Sequence, residues 1–167
     1  MIIRPELIKI KDIIESNITL HRNNIENKQI LVTNKIMDGS FVFTDQNMLN
    51  TVIRNLLSNA IKFTPQNGEI TFLTIQNLNK ETNNNEENGF LTICISDTGV
   101  GIDETKLNNL FKVEKSTTSI GTNKEKGTGL GLIICYEFIE KMGGKLWVES
   151  ELGKGSQFFI KLPRYSE

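Results

Sequence analysis

Four segments beyond residue 68 constrain the fold of the chain more than any other feature. Residues 69–77 (EITFLTIQN) and 90–96 (FLTICIS) alternate apolar and polar side chains, the period of a strand with one buried face. Residues 145–151 (KLWVESE) and 157–163 (QFFIKLP) flank a GKGS turn at 153–156 and predict a closing hairpin. Strands paired this locally need helices to cover their apolar face. Asp45 is placed to cap one such helix, which runs to Phe63 and stops before Pro65. A short helix is expected from Asp103 to Leu110. Another follows the glycines of GTGLGLIICYEFIEKMGG (127–144) and closes at Gly143-Gly144. Upstream, residues 5–27 place Leu7, Ile8, Ile10, Ile13, Ile14, Ile18 and Ile25 at spacings that predict an amphipathic helix starting near Pro5. Residues 29–33 (QILVT) and 41–44 (FVFT) read as short strands. The expected class is α+β, an α/β sandwich: a mixed, mostly antiparallel sheet of about five strands with helices on one face. Helix and strand alternate too irregularly for a doubly wound parallel sheet.

Two polar stretches interrupt this pattern. LNKETNNNEENG (78–89) reads as a solvated hairpin loop. Residues 112–127 are rich in Lys, Ser, Thr, Asn and Gly, and a loop of that length inside a compact domain is usually functional. Composition narrows the partners. A net charge of −1 gives no bias towards nucleic acid or anionic membrane. No apolar run approaches the roughly 20 residues that span a bilayer, and Arg4, Glu6, Lys9, Lys11 and Asp12 interrupt any leader-like stretch. Cys94 and Cys135 lie in apolar runs and read as small buried hydrophobes of a reducing compartment. With one histidine and no Cys/His cluster, a zinc site is not expected.

The chemistry concentrates on the helix at 45–63. At 100° per residue, Asn55, Asn59, Lys62 and Phe63 fall within one arc of about 100°, while Leu49, Ile53, Leu56, Leu57 and Ile61 point elsewhere. Asparagine is not a favoured helix-interior residue. Its neutral amide oxygen suits Mg²⁺ already charged with phosphate, and lysine is a point charge for phosphate oxygens. On this helix alone, a solvated polar face explains the residues equally well. In DTGVGI (97–102), a strand delivers Asp97 to a turn where Gly99 and Gly101 let backbone approach a ligand. A carboxylate there can accept from an exocyclic amine such as that of adenine. In GTGLGL (127–132), glycines precede a helix whose free N–H groups suit phosphate. Each glycine turn is weak alone, and GKGS reads as a plain hairpin turn.

In this order the three elements are far more specific. NLLSNAIKFT resembles the N box of sensor histidine kinases, DTGVGI their first glycine box, Phe111 their F box and GTGLGL their second glycine box. The closing GGKLWVESELGKGSQFFIKLP is similar to their C-terminal hairpin, so the resemblance covers about residues 29–163. It implies the ATP-binding sandwich of the GHKL superfamily, with ATP and Mg²⁺ as cofactors. Asn59 would ligate Mg²⁺ with Asn55 assisting at the phosphates. Lys62 would face phosphate and Phe63 the adenine side. Asp97 would bond the adenine amine, with Gly99, Gly101 and Ile102 shaping that end. Residues 112–126 would form the ATP lid, with Lys124 and Lys126 as its phosphate contacts. Gly127, Thr128, Gly129, Leu130 and Gly131 would make the hinge and phosphate cradle, although Leu130 and Leu132 read as packing side chains.

The same resemblance separates kinase from hydrolase. ATP-hydrolysing relatives of the superfamily carry a glutamate one turn before the metal-binding asparagine; here that position is Asn55, and an amide is no general base. Transfer to a proper acceptor is therefore expected over water attack. The one histidine, His21, lacks the acidic residue and proline that follow the family's phosphoacceptor, and it precedes Asn55 by only 34 residues (55 − 21). It reads as a surface histidine. Residues 1–28 are expected to be a helical junction following a dimerisation and phosphoacceptor hairpin that lies elsewhere, and 29–167 the catalytic domain. The chain thus looks like a catalytic fragment of a longer kinase, with Met1 an internal start. It is expected to be monomeric, unable to label itself, and cytoplasmic or the cytoplasmic part of a membrane-anchored kinase. Its partners would be its own dimerisation domain and, through that, a response regulator. The alternatives are a stand-alone serine kinase that restrains a sigma factor, or an ATPase clamp.

Overall fold

A computed structural model of the protein describes residues 2–75, 89–111 and 130–164. Within them the elements are β1 (Pro5–Lys9), α1 (Ile10–Leu20), α2 (Arg22–Asn27), β2 (Leu31–Lys35), β3 (Phe41–Asp45), α3 (Gln46–Phe63), β4 (Glu69–Ile75), β5 (Phe90–Asp97), α4 (Glu104–Asn109), α5 (Gly131–Lys141), β6 (Lys145–Glu151) and β7 (Gly155–Pro163). Five strands form the main sheet in the order β2-β4-β5-β7-β6. β2 runs parallel to β4 and the other pairs are antiparallel, which is the mixed sheet the alternating segments require. The period-2 pattern decides the faces. Ile70 and Phe72 of β4, Leu91, Ile93 and Ile95 of β5, Leu146 of β6, and Phe158, Ile160 and Leu162 of β7 join one core with Leu49, Val52, Ile53, Leu56 and Leu57 of α3 and with Cys135 and Ile139 of α5. On the other face Trp147 stacks on Phe159, ring centroids 5.2 Å apart, and Cys94 pairs in register with Phe159. Both cysteines are buried and free, and burial pushes each thiol up to about 12, so neither is a reactive thiolate.

The N-terminal segment corrects the expected helix. Residues 5–9 are a strand, paired antiparallel with β3 in a separate two-stranded sheet, and the helix begins only at Ile10. The residue before a proline avoids helical backbone, and Pro5 costs nothing as the first residue of an edge strand. The unpaired edge of β3 then captures Pro5–Lys9. Ile8 turns inward while Leu7 stays half exposed, a two-residue period that the seven apolar positions, read as one helical series, concealed. Once the helix starts, Ile10, Ile13, Ile14 and Asn17 make its buried stripe. His21 ends it, its Nδ1 2.8 Å from the Asn17 carbonyl oxygen, half-buried rather than a plain surface residue. β2 also starts two residues later than expected, because Gln29 adopts φ +53° and Leu31 N–H is the group that reaches the Gly68 carbonyl. Asp45 caps α3 as expected, accepting from Met48 N–H at 3.0 Å. Arg4 N–H also donates to it, and these donors hold its carboxyl below the usual range.

Candidate functional site

α3 is the axis of the site. Its apolar stripe fixes its rotation against the sheet, which leaves Asn55, Asn59, Lys62 and Phe63 half-buried along one side, between the buried stripe and exposed Arg54 and Ser58. Lys62 Nζ lies 5.0 Å from the centre of the Phe63 ring. Two glycine-bearing elements approach this helix at different heights.

Near its C-terminal end comes the turn after β5. Val100 N–H donates to the Phe63 carbonyl at 3.2 Å. A Cβ on Gly99 would lie 2.6 Å from that same oxygen, so only glycine admits the approach. Gly101 has φ +75°, and a Cβ there would lie 2.1 Å from the Glu151 carbonyl oxygen. The far side of the turn is held by the β6–β7 hairpin: Ile102 N–H donates to Ser150 Oγ at 2.9 Å and Gly153 N–H to the Val100 carbonyl at 2.7 Å. Asp97 is 8% exposed. Burial raises its carboxyl to about 6, against the opposing pull of N–H donation from Gly99 (2.8 Å) and Ser156.

Two turns earlier, α5 begins beside Asn55. A Cβ on Gly131, its first residue, would stand 3.8 Å from Asn55 Cγ. The Asn55 amide also pulls the Cys135 thiol down against the larger push of burial, and that thiol's Sγ lies 3.7 Å from the Val52 carbonyl oxygen. Asn55 and Phe63 are eight residues apart on one helix, about 12 Å along its axis, so the two glycine elements address sites one small molecule could bridge. Leu132 packs on the core, whereas Leu130, preceding α5, is 47% exposed, against the packing expected of it. Phe111 stacks on Tyr136 of α5, centroids 5.2 Å apart. Lys124, Lys126, Gly127, Thr128 and Gly129 lie outside the described residues, as does the lid at 112–126.

The sequence reading missed three contributors. In the sequence Cys135 reads only as a core residue. The GKGS turn reads there only as a turn, yet Gly155 (φ +87°) lets the hairpin abut Asp97, since its Cβ would lie 2.1 Å from the Asp97 carbonyl oxygen. Lys28 carried no signal at all, because a lysine's burial is decided by tertiary packing.

A family model described as histidine kinase-, DNA gyrase B-, and HSP90-like ATPase matches residues 44–166, a stretch that contains α3 and both glycine turns. The chain belongs to this ATPase family. Among relatives of this family, the autoinducer 2 sensor kinase/phosphatase LuxQ of Vibrio vulnificus is 39% identical over 133 residues, 79% of this chain and 15% of LuxQ. The adaptive-response sensory kinase SasA of Synechococcus elongatus is 35% identical over 148 residues, 87% of this chain and 35% of SasA. The sensor histidine kinase WalK of Bacillus subtilis is 34% identical over 127 residues, 76% of this chain and 20% of WalK. The chain therefore spans 15 to 35% of these kinases' lengths and is homologous to their ATPase-family part. In fold it is similar to the nucleotide-free catalytic domain of histidine kinase ThkA, with TM-score 0.78 at 22% identity, covering 98% of this chain and 99% of that one. Full-length ShkA in complex with AMPPNP matches with TM-score 0.78 at 21% identity, over 100% of this chain and 32% of ShkA. The fold is that of histidine kinase catalytic domains.

Proposed function

We propose that this domain binds Mg-ATP and positions it for transfer of the γ-phosphoryl to a histidine on a separate dimerisation domain, the first step of a two-component phosphorelay. The observation that carries this reading is the pairing of α3 with both glycine elements: Asn55 against Gly131, and Phe63 bonded by the Asp97 turn. Asp97 accepts from the adenine amine, and Gly99, Gly101 and Ile102 give that end its shape. Phe63 lines the base. Asn55, Asn59 and Lys62 face the phosphates, and this reading assigns Lys124, Lys126, Gly127, Thr128, Gly129, Leu130 and Gly131 to the same group.

The side chains fit a magnesium ion of one kind only. Among the described residues no group of three or more His, Cys, Asp or Glu could hold a metal. What α3 offers is the neutral amide oxygen of Asn59, with that of Asn55 one turn away, which suits a cation that arrives already bound to phosphate oxygens. Such an ion would neutralise charge on the transferring phosphoryl group. The chain's own part is to orient the nucleotide and exclude a water-activating base: Asn55 stands where hydrolysing relatives are expected to carry glutamate, and it cannot take a proton. Positioning and charge neutralisation are most of what phosphoryl transfer needs.

The relatives' names support a kinase over a sigma-factor regulator or an ATPase clamp. ThkA in complex with the response regulator TrrA supports a response regulator as downstream partner. In this reading residues 1–28 are the junction from the dimerisation domain, the isolated domain is a monomer, and it works in the cytoplasm. Among the described residues no helix is long and apolar enough to cross a membrane. Calorimetric titration with Mg-AMPPNP tests the reading. Saturable binding is expected, weakened at least tenfold by Asn59→Ala and by Asp97→Ala; a domain that binds no nucleotide, or variants that bind like the wild type, would overturn it.

A further inference from the structure

Lys28 closes α2, and its side chain is buried, 4% exposed. Its Nζ donates to the carbonyls of Ile61 (2.8 Å), Lys62 (3.2 Å) and Thr64 (3.1 Å). The last carbonyls of a helix have no N–H partner within it and form its negative end, so a buried ammonium there is well matched. The backbone locks in return, Asn67 N–H donating to the Lys28 carbonyl at 3.0 Å. The carbonyl that Lys28 does not take in this run is that of Phe63, and it is the one that receives Val100 N–H from the Asp97 turn. Four consecutive carbonyls are thus divided between one cation behind the helix and the base-binding turn in front of it.

We propose that Lys28 is a positioning residue for base recognition: it fixes the last turn of α3 so that the Phe63 carbonyl anchors the turn that aims Asp97. This rests on the assignment of Asp97 to the exocyclic amine of adenine. Without the cation, the freed carbonyls tilt towards water, the final turn frays, and the Val100 anchor loosens. Asn55, two turns earlier beside α5, and Asn59 between them lie outside that last turn, whereas Lys62 and Phe63 are part of it. Lys28 therefore acts on base selection more than on the asparagine contacts to the triphosphate. It also ties the end of α2 to that turn, so a displacement of the N-terminal helices reaches the base pocket first.

The test compares Mg-ATP with Mg-ITP, which carries a carbonyl in place of the amine, by calorimetry on the whole 167-residue chain. Wild type is expected to prefer ATP. Lys28→Met keeps the aliphatic stem and removes the charge; it should lose about tenfold more in ATP affinity than in ITP affinity, so the preference collapses. Lys28→Arg should retain the preference. Ile14→Val, a purely packing change in α1, should leave the ratio of affinities unmoved even though it destabilises the fold. If Lys28→Met does not fold, Lys28→Gln is measured in its place. Amide exchange in the wild-type chain is a check that needs no variant: the Val100 N–H should exchange slowly, like the last-turn amides of α3. An unchanged ATP-to-ITP ratio in the neutral variant, or a rapidly exchanging Val100 amide, overturns the positioning role. A wild type that binds neither nucleotide, or both equally, instead overturns the functional reading on which it rests.

Discussion

Asp97→Asn should make the nucleotide-free domain more stable and a worse binder of adenine nucleotides. The wild-type carboxyl is buried, with a value near 6 against 3.8 for the unburied group. Keeping it ionised at pH 7.5 costs the folded state about 3 kcal/mol. The direction in pH follows from proton counting. Between pH 3.8 and 6 the folded chain holds the Asp97 proton more tightly than the unfolded chain does. Stability from this group is therefore complete below 3.8, falls as pH rises through 6, and is level above that. Asparagine never ionises, and its amide oxygen can still accept from Gly99 and Ser156 N–H. The variant should gain about 1–3 kcal/mol at pH 7.5, with the gain shrinking as pH falls towards 4. Urea unfolding read by the single tryptophan, Trp147, measures this directly, because its stack on Phe159 breaks on unfolding. Mg-ATP affinity should fall at least tenfold, since the acceptor for the amine loses its charge. A variant less stable than wild type at pH 7.5, or a stability gap that does not change with pH, would refute the claim that burial of an ionised carboxylate is what this site costs the fold.

Gly101→Ala forces a side chain onto φ +75° and into the Glu151 carbonyl; a loss of about 2–4 kcal/mol in the same urea assay is expected, and wild-type stability would contradict the geometry. Cys135→Ser keeps a group that donates to Val52 and accepts from Asn55, while Cys135→Ala leaves the Asn55 amide without it. The alanine variant should therefore lose more of the magnesium-dependent part of ATP affinity than the serine variant, and calorimetry with and without Mg²⁺ separates the two; equal losses would dismiss a role for the thiol beyond packing. Leu57→Ala, at a fully buried position of α3, should cost about 3 kcal/mol by cavity formation, and a loss below 1 kcal/mol by denaturant titration would mean the core collapses around it.

Much of the domain is written in local order. The alternation in 69–77 and 90–96, the closing hairpin, and Asp45 before an apolar helix each act over a few residues, so strand, turn and cap could be read before any packing was known. The same holds for Asn55, Asn59, Lys62 and Phe63, which one helix carries on one side whatever surrounds it. The asparagines stayed ambiguous with a solvated face because nothing within α3 says what will stand opposite. That is decided by α5, which brings Gly131 and Cys135 to Asn55 from about 80 residues away.

What the sequence alone determined was the set of groups and their order: an asparagine-bearing helix, an acidic glycine turn, and a glycine-led helix. Only the tertiary structure decided their electrostatics and their supports. The Asp97 carboxyl is raised because the GKGS hairpin and β7 close over it. Residues 5–9 are a strand because the edge of β3 offers them partners that helical periodicity cannot weigh. Lys28, polar in any composition scale, becomes the buried plug of α3 because three helix-end carbonyls converge where its chain passes. Hydrogen bonds between distant segments depend on where the chain returns in space, and that is fixed only when the core that brings the segments together has formed.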